Sequence, residues 1–248
     1  MIGIFQGSMT AKERVLRTFN HEKADRVPVN YLANPAIHKR VAAALGVLAD
    51  KDSVNDALGV DFKGLMPAYT GKPLFTAPGP ERHVHPLTGA VTRWVANEDG
   101  GYWDYCDFPL AEADDETIAN WPVPDPDDFD YDELLDRCKL YRHKAVHFGH
   151  PGVSDVMNNT GMIRGMENIY MDLALETESV MTLLDRRMKA ELAMFERALD
   201  KCRDYVDFIW TGEDLGTQRA PLISLDMFRA QIRPRHQPLI DLASSYGK

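Results

Sequence analysis

Apolar residues recur along this chain at two spacings, and the spacing separates segments that read as helix from those that read as strand. In TAKERVLRTF, Val15, Leu16 and Phe19 share one face, and Thr10 with Glu13 forms a capping box in which each side chain satisfies the other's free backbone N–H. This predicts a first helix, and Arg26 to Tyr31 then reads as a strand. Asn34 is a second N-cap with Pro35 at the first helical position; Ile37, Val41 and Leu45 make the apolar face, and Gly46 is the stop. A short helix ending at Gly59 and a strand from Val60 to Met66 follow.

Glu81 to Asn97 carries two strand-like runs, HVH and AVTRWVA, around the turn-forming residues Pro86 to Gly89, which predicts a β-hairpin. Trp121 to Asp130 contains three prolines and four aspartates, too many fixed φ angles for a helix, and reads as a surface connection. A helix over Tyr131 to His143 precedes a strand from Ala145 to Gly149; the polar loop HPGVSDVMNNTG then leads into helices that run to Tyr205. Beyond them an apolar strand from Val206 to Trp210 runs into two adjacent carboxylates, Glu213 and Asp214, and then into a helix capped by Ser224 and lined by Leu225, Phe228 and Ile232.

Strands each followed by helix signal an α/β fold with a parallel sheet, whose closed form is the (β/α)8 TIM barrel. Val27–Tyr31, Val60–Leu65, Ala145–Gly149 and Val206–Trp210 are expected as neighbouring parallel strands, with the hairpin as an insertion. Ligands of such sheets meet side chains at the C-terminal strand ends. Asn30 with Tyr31, Gly149 with His150, and Glu213 with Asp214 are therefore expected to converge. Asp214, His150 and Glu213 are the candidates for catalysis, because paired carboxylates act as acid and base when burial separates their pKa values. Asn30, Tyr31, Asp155 and Asn158 are candidates for holding substrate, although the last two suit helix capping equally well. Of His143, His147 and His150 only the last stands at a strand end, and His83 with His85 fits a cross-strand pair better than a ligand pair, so no metal site is expected.

Composition narrows the classes. The chain has 248 residues, 44% hydrophobic and 27% charged, which describes one ordinary globular core. A net charge of -10 argues against nucleic acid, whose phosphates need Lys and Arg. Cys106, Cys138 and Cys202 are widely spaced, so reduced thiols are expected. With no secretory leader and no run of about 18 apolar residues, a cytoplasmic protein without a membrane span is the expectation. Residues 1–8 are set apart as an extension before a domain of residues 9–248.

Four stretches carry a resemblance. MTAKERVLRTFNHEKADRVPVNY at 9–31, FPLAEADDETIANWPVPDPDDFDYDEL at 108–134, GMIRGMENIYMDLALETESVMTLLDRRM at 161–188 and GEDLGTQRAPLIS at 212–224 resemble the uroporphyrinogen decarboxylase (URO-D) superfamily. That superfamily holds the decarboxylase of porphyrin biosynthesis and the cobalamin-linked methyltransferases that act on methanol, methylamines and methoxylated compounds. The resemblance implies a TIM barrel of which this chain holds the first five or so βα units. Where the decarboxylases carry an Arg-rich loop, this chain reads Tyr31, Leu32, Ala33, Asn34, Pro35, so the porphyrinogen-gripping loop is missing. The resemblance therefore implies methyl transfer, or demethylation, from a small methoxylated or methylated substrate to a corrinoid carried by a partner protein. Uroporphyrinogen decarboxylase is the alternative. The zinc of the methyltransferase relatives is implied only with a His-x-Cys motif, and the sequence reaches Lys248 before that motif. A third reading is a non-catalytic barrel fragment or binding module, whose open edge a partner or second copy would close as a homo-oligomer.

Overall fold

Three of the four expected strands pair in parallel, in the order in which they occur along the chain. The computed structural model describes residues 7–248 apart from Pro78 and Asp99. Of the extension expected over residues 1–8, residues 1–6 lie outside the described residues. Helices α1 (Ala11–Phe19), α2 (Pro35–Leu45) and α3 (Lys51–Leu58) lead to strand β1 (Phe62–Leu65) and the short β2 (Ala68–Tyr69). The hairpin follows as β3 (His83–Val84) and β4 (Val91–Val95), and β5 (Tyr102–Tyr105) extends it to a three-stranded antiparallel sheet. Then come α4 (Asp115–Ala119), β6 (Phe129–Asp130), α5 (Tyr131–Leu140), β7 (Ala145–Gly149), α6 (Met157–Arg164), α7 (Met166–Leu175) and α8 (Glu178–Cys202). Strand β8 (Phe208–Trp210), α9 (Leu225–Met227), one π-helical turn (Phe228–Ile232) and α10 (Arg233–Ser245) complete the chain.

The fold is mixed α/β with small sheets, and among the described residues no sheet closes into a barrel. The main sheet runs β1-β7-β8, with Phe62 beside Ala145 and His147 beside Phe208. Val27 to Tyr31 is a correction: among the described residues it joins no ladder. One residue consumes the backbone of its midpoint, since Asp61 N–H donates to Val29 O at 2.9 Å and Val29 N–H donates to the Asp61 carboxylate at 2.8 Å. Pro28 brings no N–H of its own. Asp61 is itself buried between Arg14 and Arg26, each 2.6 Å away, which pins α1 and the extended segment to the start of β1.

The N-caps form where expected, with Thr10, Asn34 and Ser224 each accepting a backbone N–H three residues on. The box at Thr10 is only half made, because the Glu13 carboxylate pairs with Arg17 at 3.2 Å instead. No helix among the described residues is long and apolar enough to cross a membrane.

Two apolar cores flank the sheet's C-terminal end. Val146 and Phe148 of β7 pack with Leu134 of α5, Phe195 and Leu199 of α8 and Leu239 of α10. Val156, Met157, Ile163, Ile169 and Leu173 from α6, α7 and the turn before α6 pack with Ile118 and with Val180, Leu183 and Leu184, again of α8. The 25-residue α8 thus belongs to both cores, its N-terminal half in one and its C-terminal half in the other. On the opposite sheet face His147 stacks on Phe208 at 4.9 Å, and burial pushes its pKa down to about 4.

Two glycines set the strand exits. Gly149 has φ +90°, and a Cβ there would stand 2.1 Å from Trp210 O; one on Gly212 would meet Pro151 O at 2.5 Å. The loops leaving β7 and β8 therefore touch backbone to backbone, as the hydrogen bond from Gly212 N–H to Val153 O also requires. By contrast a Cβ on Gly46, φ +66°, would have nothing within 4 Å. We expect Gly46→Ala to cost about 1 kcal/mol from φ alone, and Gly149→Ala at least about twice that, from φ and collision together. Urea unfolding of both variants checks this; equal costs would remove the close approach as a constraint.

Candidate functional site

At the C-terminal ends of β1 and β7 the chain encloses a cavity of about 350 Å³. Met66 and Pro67 reach it from β1, and His150, Gly152 and Val153 from β7. Arg187, Glu191 and Met194 of α8 form one wall. The opposite wall is Trp121 to Pro124 with Phe129, so this proline-rich segment encloses a cavity in addition to connecting elements. Trp121 is held there by its Nε1–H, which donates to Thr88 O of the hairpin turn at 3.0 Å, and by stacking on Phe75 at 4.8 Å.

Two ionisable groups of α8 face this space. Glu191 accepts from Ser154 N–H at 2.7 Å and Ser154 Oγ–H at 2.8 Å, both on Oε1. Burial holds its carboxyl above the usual range, against the opposing pull of those bonds and of Arg187. Arg187 donates from Nη1 to Thr160 Oγ1 at 2.8 Å, and burial lowers its pKa. His150 opens onto the apolar lining, which lowers its pKa, and its Nδ1 accepts from Gly152 N–H at 3.0 Å. That bond assigns the ring proton of the neutral imidazole to Nε2.

Behind the cavity wall lies a buried carboxylate pair. Glu213, its side chain 2% exposed, accepts from the N–H groups of Val156 and Met157 at 2.6 and 3.0 Å. It thereby caps α6, whose own N-cap residue Val156 has no side chain able to do so. His236 of α10 approaches the same carboxylate at 3.1 Å. Asp155 accepts from Asn158 N–H at 2.7 Å, from Asn158 Nδ2–H at 3.1 Å and from Asn159 N–H at 3.3 Å. Burial, then the hydrogen bond to Glu213 and that group's charge, push Asp155 up to about 7. Burial also works against ionised Glu213, but the bonds from His236, Asp155 and the two backbone groups outweigh it and hold Glu213 below the usual range. Asp155 is the member that keeps the proton.

The sequence candidates thus separate. Glu213, Asp155 and Asn158 come together, and His150 lines the adjoining cavity. Asp214 is exposed and, among the described residues, accepts only from Gly216 N–H, at 3.4 Å. Asn30 is exposed and lines a different groove, with Phe62 and Phe208; Tyr31 packs on His38 and its buried hydroxyl has no partner among the described residues. Arg187, Glu191 and His236 escape a strand-end search because all three stand on helices. A signal for two of them exists: Val180, Leu184, Arg187, Glu191, Phe195, Ala198 and Cys202 form one stripe at helical spacing, and charges on an apolar stripe are conspicuous.

Comparison with protein-family models, with curated proteins and with solved structures finds no match. Among the described residues no group of three or more His, Cys, Asp or Glu could hold a metal, so the zinc implied by the resemblance has no fitting donor set.

Two outcomes follow from the carboxylate pair. Glu213→Ala, which leaves the Val156 and Met157 N–H groups unpaired and strands His236, should cost about 2–4 kcal/mol in chemical denaturation, whereas Asp214→Ala should stay within about 0.5 kcal/mol. Similar costs for the two would overturn the assignment. Because the folded pKa of Asp155 is raised, the folded state binds more protons than the unfolded one between pH 3.8 and about 7. Its stability contribution is complete below that window and is lost as pH rises through it. Asp155→Asn keeps an N–H donor toward Glu213 without titrating, so the variant should gain on the wild type as pH goes from 4 to 8; parallel melting curves across that range would refute the shared proton.

Proposed function

We propose that this chain is an enzyme of the methyltransferase branch of the URO-D superfamily, passing a methyl group from a small methoxylated or methylated substrate to a corrinoid carried by a partner protein. The supporting observation is the charge of the cavity: among the described residues Arg187 is the one Lys or Arg that lines it, with Glu191 a turn away on the same helix. A porphyrinogen bearing many carboxylates calls for several cations, whereas a neutral or singly charged molecule does not. The strand order β1-β7-β8 supports the finer reading that the parallel sheet is an arc of a (β/α)8 barrel, since consecutive barrel strands are neighbours.

A cavity of about 350 Å³ suits a small molecule and is too small for a corrin macrocycle. The corrinoid would therefore stay at the mouth of the cavity, where it would supply the nucleophilic metal for the methyl group. The chain's own residues handle the substrate and the proton. His150 orients the substrate by donating from Nε2. Glu191, protonated more readily than an ordinary carboxyl, delivers its proton to the oxygen that keeps the electron pair of the broken carbon–oxygen bond. Asp155 and Glu213 act at one remove, holding α6 and the Ser154 turn that positions Glu191.

With reduced cobalamin and a panel of methoxylated and methylated compounds, the protein should release demethylated product well above the rate of the mixture without it. Glu191→Gln should lower that rate by about 10²- to 10³-fold. Tight coproporphyrin binding that weakens with salt, with none for cobalamin, would reverse the choice in favour of the decarboxylase.

A further inference from the structure

We propose that the cavity selects a planar molecule bearing one carboxylate, which Arg187 grips side-on through its Nε and Nη2 edge while the aromatic and proline walls enclose the ring. The inference rests on reading this cavity as the active site, and it adds the class of substrate. Elsewhere buried or half-buried arginines are closed by carboxylates: Arg14 by Asp25 and Asp61, Arg26 by Asp61, Arg164 by Asp172, Arg235 by Asp185. Arg187 is half-buried too, yet among the described residues it has no carboxylate within ion-pair distance, and its one hydrogen bond uses Nη1. Of its four remaining N–H groups, the one on Nε and one on Nη2 are parallel, the spacing a carboxylate matches with both oxygens.

The neighbouring acid does not fill this edge. Glu191 turns Oε1 toward Ser154, and its Oε2 makes no hydrogen bond among the described residues, so it remains available to a polar substituent on the same ligand. Across the cavity Trp121, Pro122, Pro124 and Phe129 supply flat apolar surface, and Met66 and Met194 supply adaptable thioethers. A half-buried guanidinium facing such walls binds an anion more strongly than a fully exposed one does, because less hydration competes with the anion.

Calorimetric titration with benzoate and with benzamide, its neutral isostere, tests the proposal on the full chain. Benzoate should bind at least tenfold more tightly. Arg187→Met should abolish that preference, and Arg187→Lys should retain a smaller part of it, since an ammonium lacks the two-pronged edge. On the wild type, benzoate but not benzamide should protect Arg187 from phenylglyoxal, mapped by mass spectrometry, which serves should Arg187→Met not fold. Equal affinities, no binding of either, a preference surviving in Arg187→Met, or phenylglyoxal modification unaffected by benzoate would each overturn the proposal. Benzoate selectivity without methyl transfer from 4-methoxybenzoate would leave this inference standing and remove the proposed activity; methyl transfer with benzoate and benzamide bound alike would do the reverse.

Discussion

The Glu213 carboxylate is the constraint on which the region beyond the sheet depends. It leaves the end of β8, crosses to the open N–H groups of α6 and receives a third contact from His236 of α10. Three elements far apart in sequence are thus fixed by one buried anion. Ionised, it satisfies donors that would otherwise be unpaired, and the helix dipole favours its charge. Its neighbour Asp155 then cannot easily ionise, because a second negative charge in that desolvated place would be repelled. One carboxyl organises the structure and the other keeps the proton.

From that anchor the cavity follows. With α6 held, the Ser154 turn presents both its N–H and its hydroxyl to Glu191, which sets the height of α8 against the sheet. The helix joins one apolar core through Val180 to Leu184 and the other through Met194 to Cys202. Arg187 and Glu191 occupy the gap between the cores, where the stripe would otherwise be apolar, and the gap is the cavity. Both charges are half-buried there.

Local pattern made much of the fold legible. The caps at Thr10, Asn34 and Ser224, the hairpin and the three parallel strands are all short-range statements, decided within a few residues by orphan N–H groups and side-chain alternation. Val27 to Tyr31 has the same pattern and fails as a strand because Asp61, thirty residues on, takes both backbone groups of Val29. Among the site candidates, Glu213, Asp155 and His150 are placed by strand ends and so were visible. Asp214 shows the limit: neighbours on an extended chain point opposite ways, and nothing in the dipeptide says which one turns inward.

What the sequence alone determined is therefore most of the elements and the edge of the sheet beside which the cavity opens, since both depend on periodicity and on where a strand must stop. The tertiary structure decided the rest: which carboxylate is buried, which one holds the proton, and that the cavity draws its charges from the middle of a long helix. Those outcomes turn on desolvation and on partners dozens of residues away, such as Ser154 for Glu191 and Val156 for Glu213. Burial is a property of the packed chain, and no local spacing encodes it.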